Sequence, residues 1–220
     1  MTSRDDSVDG SPNLAIQAYR TIRNQIVYGE LPPNHVMVEA DLANTFGLSR
    51  TPIREALQML AADGLIVSRR RRWYVRQYDW PEIEDIYEVR ACLEGFAASL
   101  AAQRVDEHRK EFEKLLAGVG AQRKLVNPRQ WVVANDEFHA AIARHCGNDR
   151  LIDLIDRTKV YYFNARVAAL YSEEDRDRSS HEHAAIVEAI LDGDAGQAEK
   201  LARQHVLGAL EILRRMYADS

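Results

Sequence analysis

The chain has 220 residues, 46% of them hydrophobic and 29% charged, enough for one large core or two small ones and too apolar for an intrinsically disordered polymer. No apolar run approaches the ~20 residues of a membrane span, the polar opening Met1-Thr-Ser-Arg-Asp-Asp6 has no signal-peptide core, and 11 Gly with 6 Pro are few for a chain of many tight β-turns. Two Cys, Cys92 and Cys146, stand in helical stretches with neither metal-type spacing nor a disulfide framework, so a reduced, cytoplasmic protein with no membrane partner is expected.

The net charge of −5 argues against nucleic acid until the chain is divided. Residues 11–78 carry nine Arg against five acids, a net of +4, and the acidic excess lies mostly after residue 80. Such asymmetry suggests a nucleic-acid-binding module joined to an acidic body.

Residues 1–12 are polar and are expected to be a disordered tail. A first helix is predicted over Asn13–Tyr28, with Ala15, Ala18, Ile22 and Ile26 on one face. It is stopped by Gly29-Glu-Leu-Pro-Pro33. A short helix over Glu39–Thr45 and a turn at Phe46-Gly47-Leu48 follow. Ser49 or Thr51 can cap the next helix, over residues 50–62, and Pro52 in its first turn sacrifices no hydrogen bond. Ile53, Ala56, Leu57 and Leu60 face inward and Asp63-Gly64 ends it. Leu65-Ile66-Val67 and Trp73-Tyr74-Val75 read as two strands flanking Ser68 and Arg69–Arg72. This order is a winged helix-turn-helix over residues 13–78. Asp79-Trp80-Pro81 reads as a linker to a body of six helices, near 82–104, 106–124, 128–146, 149–171, 177–192 and 194–218. The expected fold class is mainly α: the winged helix-turn-helix plus an antiparallel helical bundle over residues 79–220.

On the helix of residues 50–62, Arg50, Arg54 and Gln58 follow i, i+4, i+8 along the face opposite the buried one. Arg pairs bidentately with guanine edges or clamps phosphate, and Gln reads adenine. A helix N-terminus carrying Ser49 and Thr51 also suits a phosphate. The competing reading is a solvated face with two ordinary arginines. The short helix and Gly47 turn before it, and the arginine-rich hairpin after it, favour DNA.

The segment Ser49-Arg-Thr-Pro-Ile-Arg-Glu-Ala-Leu57, with Leu60 and Asp63-Gly64-Leu65, resembles the recognition-helix signature of GntR-type bacterial transcription regulators. Val38-Glu39 and Leu42-Ala43 match the same family's second helix. The resemblance implies that Arg50 and Arg54 contact DNA. Two positions depart from the pattern: Ala40 stands where some members carry a further DNA-contacting arginine, and the wing tip is Arg69-Arg70-Arg71-Arg72 where the family usually has Gly. Four consecutive arginines suit phosphates or a minor groove.

In the second half, Val132, Asn135, His139, Ile142 and Cys146 form one helical stripe. His183 shares a face with Ile186, Val187 and Ile190, and His205 with Leu201, Ala209 and Ile212. Three inward histidines on three helices suit Zn or another first-row divalent metal, Ni, Mn and Fe included. His181, two residues from His183, projects towards the Ala185/Glu188 side of the helix instead, and His35, His108 and His145 read as peripheral. Arg90 shares a face with Ile86, Leu93 and Ala97, so a guanidinium turns inward and needs either an internal acid such as Glu94 or a bound carboxylate. Glu88-Val-Arg-Ala-Cys-Leu-Glu94, Phe138-His139, Gly147-Asn148, Glu182-His183, Gly193-Asp194 and His205 resemble the FCD ligand-binding domain of the FadR subfamily. That resemblance implies Asn135, His139, His183 and His205 as metal ligands, and Arg90 at an effector pocket. Tyr162 and Arg166, on the fourth body helix, are weaker candidates for lining the same cavity, and Arg166 could equally lie on the surface. The resulting expectation is a homodimeric regulator, held together by its helical body, that binds a palindromic double-stranded operator and a small carboxylate effector at a metal. The alternatives are a metal-dependent enzyme, since His₃ with open positions is also a catalytic arrangement, and a regulator with a purely structural metal.

Overall fold

The computed structural model describes residues 14–122, 125, 127–158 and 171–218. The chain divides into two compact units that meet between Gln77 and Tyr78. The predicted tail over residues 1–12, and residues 159–170 of the predicted fourth body helix with Tyr162 and Arg166, lie outside the described residues.

In the first unit, the apolar spacing of α1 (Leu14–Val27) buries Ala15, Ala18, Ile22 and Ile26 against α3 (Arg50–Ala62). Between them, β1 (Val36–Met37) leads into α2 (Glu39–Phe46). Gly47 ends α2 at φ +64°, where its N–H returns to the carbonyls of Ala43 and Asn44; a side chain in this left-handed conformation would be strained. Ser49 holds the N-cap position of α3, but no side-chain capping bond forms there, and Thr51 lies inside the helix. The capping expected from Ser49 or Thr51 is therefore not made. Ile53, Ala56, Leu57 and Leu60 are buried, as their spacing predicts.

The hairpin consists of β2 (Ile66–Arg69) and β3 (Arg72–Val75), in the register Ile66↔Val75 to Arg69↔Arg72. Leu65 lies just outside it. Arg70 and Arg71 form the two-residue turn at φ +49° and +63°, a left-handed pair that hairpin twist favours and that L side chains other than Asn and Asp resist. The sheet has a third strand that sequence reasoning missed: β1 pairs with β3 through Val36↔Tyr74 and Met37↔Trp73. A two-residue strand carries no readable alternation; its single inward side chain is Met37.

In the second unit, Asp79-Trp80-Pro81 is the start of a helix rather than a linker. Asp79 caps α4 (Trp80–Gln103) in a reciprocal box with Glu82, and Pro81 sits in the first turn, where no backbone N–H is missed. After α4 come α5 (Val105–Gln122), α6 (Pro128–Arg144), α7 (Asp149–Thr158), α8 (Glu173–Leu191) and α9 (Ala195–Ala218). α4 buries residues on most of its circumference, as the central helix of a bundle must. It packs along α9 and against α6, α7 and α8, while α5 packs on α8. At Gly95 a Cβ would stand 3.1 Å from the Glu199 carbonyl, so the absence of a side chain lets α9 approach. Phe112, Phe138, Ile186, Val187 and Ile190 fill the space between α5, α6 and α8. Each large side chain contributes roughly 1.5–3 kcal/mol by leaving water, and together they fix which helix faces meet. Among the described residues no helix is long and apolar enough to cross a membrane. The architecture is mainly α, a winged helix-turn-helix followed by a helical bundle.

Candidate metal centre and nucleic-acid interface

In the first unit, the face of α3 opposite its buried residues exposes Arg50, Thr51, Arg54 and Gln58, and Arg69, Arg70, Arg71 and Arg72 are exposed around the hairpin tip. This concentrates positive charge on one helix and one hairpin, the two elements of such a unit that reach a groove and its phosphates. Arg54 has a partner within the unit: its Nε and Nη2 donate to Glu39 at the start of α2, Nη2 at 2.9 Å. Trp73 Nε1 stands 3.5 Å from the same carboxylate. The Arg54 guanidinium holds the Glu39 carboxyl below its ordinary range.

In the second unit, α6, α8 and α9 bring His139, His183 and His205 together, with one nitrogen of each lying within 4.8 Å of the others. His183 Nε2 and His205 Nε2 are 3.1 Å apart. Two imidazole nitrogens bound to one zinc-sized ion at ordinary bond lengths lie about 3.0–3.4 Å apart, so this spacing suits a ligand pair as well as a hydrogen bond between the two rings. His183 is 1% exposed and His205 5%. The Phe138 ring stacks on His183 at 3.8 Å and fixes its plane.

Carboxylates stand behind two of the three rings. His139 Nδ1 is 2.8 Å from Glu94 Oε2, and His205 Nδ1 is 2.8 Å from Glu182 Oε2. In the tautomer in which His205 donates Nδ1–H to Glu182, its Nε2 is left with a lone pair, and the acid raises its basicity toward a metal; Glu94 Oε2 lies close to His139 Nδ1 but without hydrogen-bond geometry. Burial would push the Glu94 carboxyl up, but Arg90 and His139 outweigh it and hold the group well below the usual carboxylate range. Burial pulls His139 and His183 down, His183 strongly and with further lowering from the neighbouring imidazoles. Both rings are therefore neutral near pH 7, the form that ligates. Three imidazoles converging in this way, His183 and His205 buried and His139 half-buried, fit a first-row divalent ion.

A cavity of about 20 Å³ adjoins the cluster, lined among others by Arg90, Asn135, His139, Tyr171 and His205. Asn135 is half-buried one turn before His139 on the same face of α6. The inward turn of Arg90 is seen, and its partner is the internal acid: Nε donates to Glu94 Oε1 at 3.0 Å. The guanidinium also lies 4.9 Å from the centre of the Tyr87 ring. Arg90 is thus a structural salt-bridge residue that still borders the cavity. His181 is exposed, and His108 and His145 meet each other as tilted rings with centroids 4.4 Å apart.

Sequence reasoning missed the roles of Glu94 and Glu182 behind the imidazoles. Glu94 had a signal, an acid four residues after Arg90 on an otherwise apolar face. Glu182 had little, since it serves a histidine 23 positions away rather than its neighbour. Glu39 as the partner of Arg54 was missed too, because the contact joins two helices across a turn.

Comparisons with known proteins agree on both units. Residues 14–75 match the family model described as bacterial regulatory proteins, gntR family, and residues 85–208 match the FCD domain. The chain is 26% identical to the HTH-type transcriptional repressor GlaR of Escherichia coli, over 94% of this chain and 98% of that one. It is 29% identical to a probable D-xylose utilization operon transcriptional repressor of Paenarthrobacter nicotinovorans, over 90% and 87%. Among solved structures, E. coli McbR/YncC superposes with a TM-score of 0.80 at 20% identity, covering 94% of this chain and 99% of that one. The matching relatives are transcription regulators, which disfavours the enzyme alternative.

Proposed function

This chain belongs to the GntR family of bacterial regulators and carries their FCD domain, and from that premise we propose that a metal held in the helical unit, and a small organic acid bound beside it, set its affinity for an operator. It is a DNA-binding transcription regulator and not an enzyme. The finer reading adds membership of the FadR subfamily, a homodimer, and a palindromic operator whose half-sites each meet one winged helix-turn-helix.

The observation that carries the metal is the convergence of three imidazoles, His183 and His205 buried and His139 half-buried, with a carboxylate oxygen 2.8 Å from Nδ1 of His139 and of His205. His139, His183 and His205 would hold the ion, with Asn135 as a neutral oxygen donor; zinc suits this set best, and nickel, manganese or iron would also be accommodated. Bound there, the ion supplies a positive charge and open positions for an oxygen ligand. Arg90 borders the cavity with its Nε taken by Glu94, so its Nη groups would be the ones to donate to an acid held at the ion. Tyr162 and Arg166 remain part of the proposed effector lining.

The cavity has room for about one water molecule. An acid of several carbons must therefore part the helices that line it. That requirement makes effector binding and helix packing two sides of one equilibrium. Only Tyr78 and Asp79 separate α4, which carries Arg90 and Glu94, from the end of the first unit, so a shift in α4 packing has a short path to the DNA-binding unit.

Native mass spectrometry of the full chain tests the assembly. The expected particle holds two chains and one divalent ion per chain, and loses the ions, but not the second chain, on chelation. A particle that carries no metal after loading with zinc, nickel or manganese contradicts the proposal.

A further inference from the structure

Arg54 lies on the exposed face of α3, yet its guanidinium is held in one orientation. Glu39 takes its Nε and Nη2, and Trp73, from β3, faces the same carboxylate. Arg54 is 59% exposed and Glu39 only 25%, so the acid sits behind the arginine rather than beside it in solvent. A carboxylate near a DNA-binding face repels phosphates and weakens binding to any sequence. Its presence there calls for a role that offsets this repulsion.

The chemistry of the guanidinium supplies one. It has five N–H donors arranged on two bidentate edges. Glu39 occupies the side edge, Nε with Nη2, and this leaves the end edge, Nη1 with Nη2, directed away from the acid. That end edge is the pair that matches O6 and N7 of guanine in the major groove. Held from behind, the side chain keeps one orientation before DNA arrives, so it gives up less freedom on binding.

We propose that Glu39 is a positioning residue for sequence recognition, clamping Arg54 by its side edge, steadied by Trp73, so that the end edge is presented to a guanine. The inference rests on the reading of Arg54 as a base-contacting residue.

Selection from a pool of random-sequence DNA duplexes with the full-length protein tests it, comparing wild type with Arg54→Ala, Glu39→Gln, Glu39→Ala and Trp73→Phe. Arg54→Ala is expected to flatten the preference at one base pair of each half-site. Both Glu39 variants are expected to weaken the preference at that same pair by about tenfold and to leave every other position as in wild type. Trp73→Phe is expected to give a smaller loss at that pair. Binding to the unselected pool should stay equal or tighten, because an acid has been removed; a merely structural role would instead weaken all sequences together. Wild-type preference at that pair in both Glu39 variants overturns the proposal. So does a sharpened preference with tighter operator binding, which would make Glu39 a competitor of DNA for Arg54. If Arg54→Ala changes no position, it is the base-contact reading that fails, and the clamp falls with it.

Discussion

His139→Ala and His183→Ala are each expected to weaken divalent-metal binding by at least about a hundredfold, measured by calorimetry on chelator-treated protein reloaded with zinc. Each variant removes one of three converging imidazoles, and two nitrogens with an amide oxygen make a poor site for a first-row ion. His183 is 1% exposed and stacked on Phe138, so its loss also opens a void. A control that keeps the packing is therefore needed. Glu182→Gln preserves shape and removes the charge behind His205, and Glu94→Gln does the same beside His139 while also taking the counter-charge from Arg90. They are expected to cost roughly 10–100-fold in metal affinity while the bundle stays folded by circular dichroism. Wild-type affinity in all four variants would show that the cluster is only a packed polar core.

The second large effect falls on DNA. Arg50→Ala and Arg54→Ala are each expected to reduce binding to a selected operator by roughly 1–3 kcal/mol, with relaxed preference at the base pair each residue meets. Changing Arg69, Arg70, Arg71 and Arg72 to Ser is expected to weaken binding to all sequences more evenly. It should also flatten the salt dependence, by about one unit of slope for each phosphate that is no longer neutralised. The contrast separates reading from clamping. Unchanged operator affinity in the Arg50→Ala/Arg54→Ala protein would remove α3 as the recognition element.

The sequence carries the helices of this protein where packing is one-sided and periodic. Ala15, Ala18, Ile22 and Ile26 mark the buried face of α1, and Ile53, Ala56, Leu57 and Leu60 that of α3, at the spacing each helix shows. The inward phase of the three histidines is legible for the same reason, since helical period alone turns His139, His183 and His205 to the bundle interior. What distant segments decide together is not legible. The strand at Val36–Met37 exists only because β3 offers it an edge. Asp79-Trp80-Pro81 looks like a break from composition, yet Asp79 and Glu82 satisfy each other's backbone and begin α4. Glu182 meets His205 across two helices, and Glu39 meets Arg54 across the turn of the helix-turn-helix. For Arg90 the sequence poses a choice between an internal acid and a bound one, and a 3.0 Å bond to Glu94 gives the internal acid precedence.

Control of operator binding by the histidine cluster and its cavity is tested most directly by one measurement. It is the operator affinity of the full-length protein against a panel of small mono-, di- and tricarboxylic acids, before and after metal removal. At least one acid is predicted to change affinity by about tenfold, a coupling of about 1.4 kcal/mol, and to do so only in the metal-loaded protein. His139→Ala and Arg90→Ala are predicted to abolish the response. An acid that shifts operator affinity equally in the metal-stripped protein would contradict this mechanism.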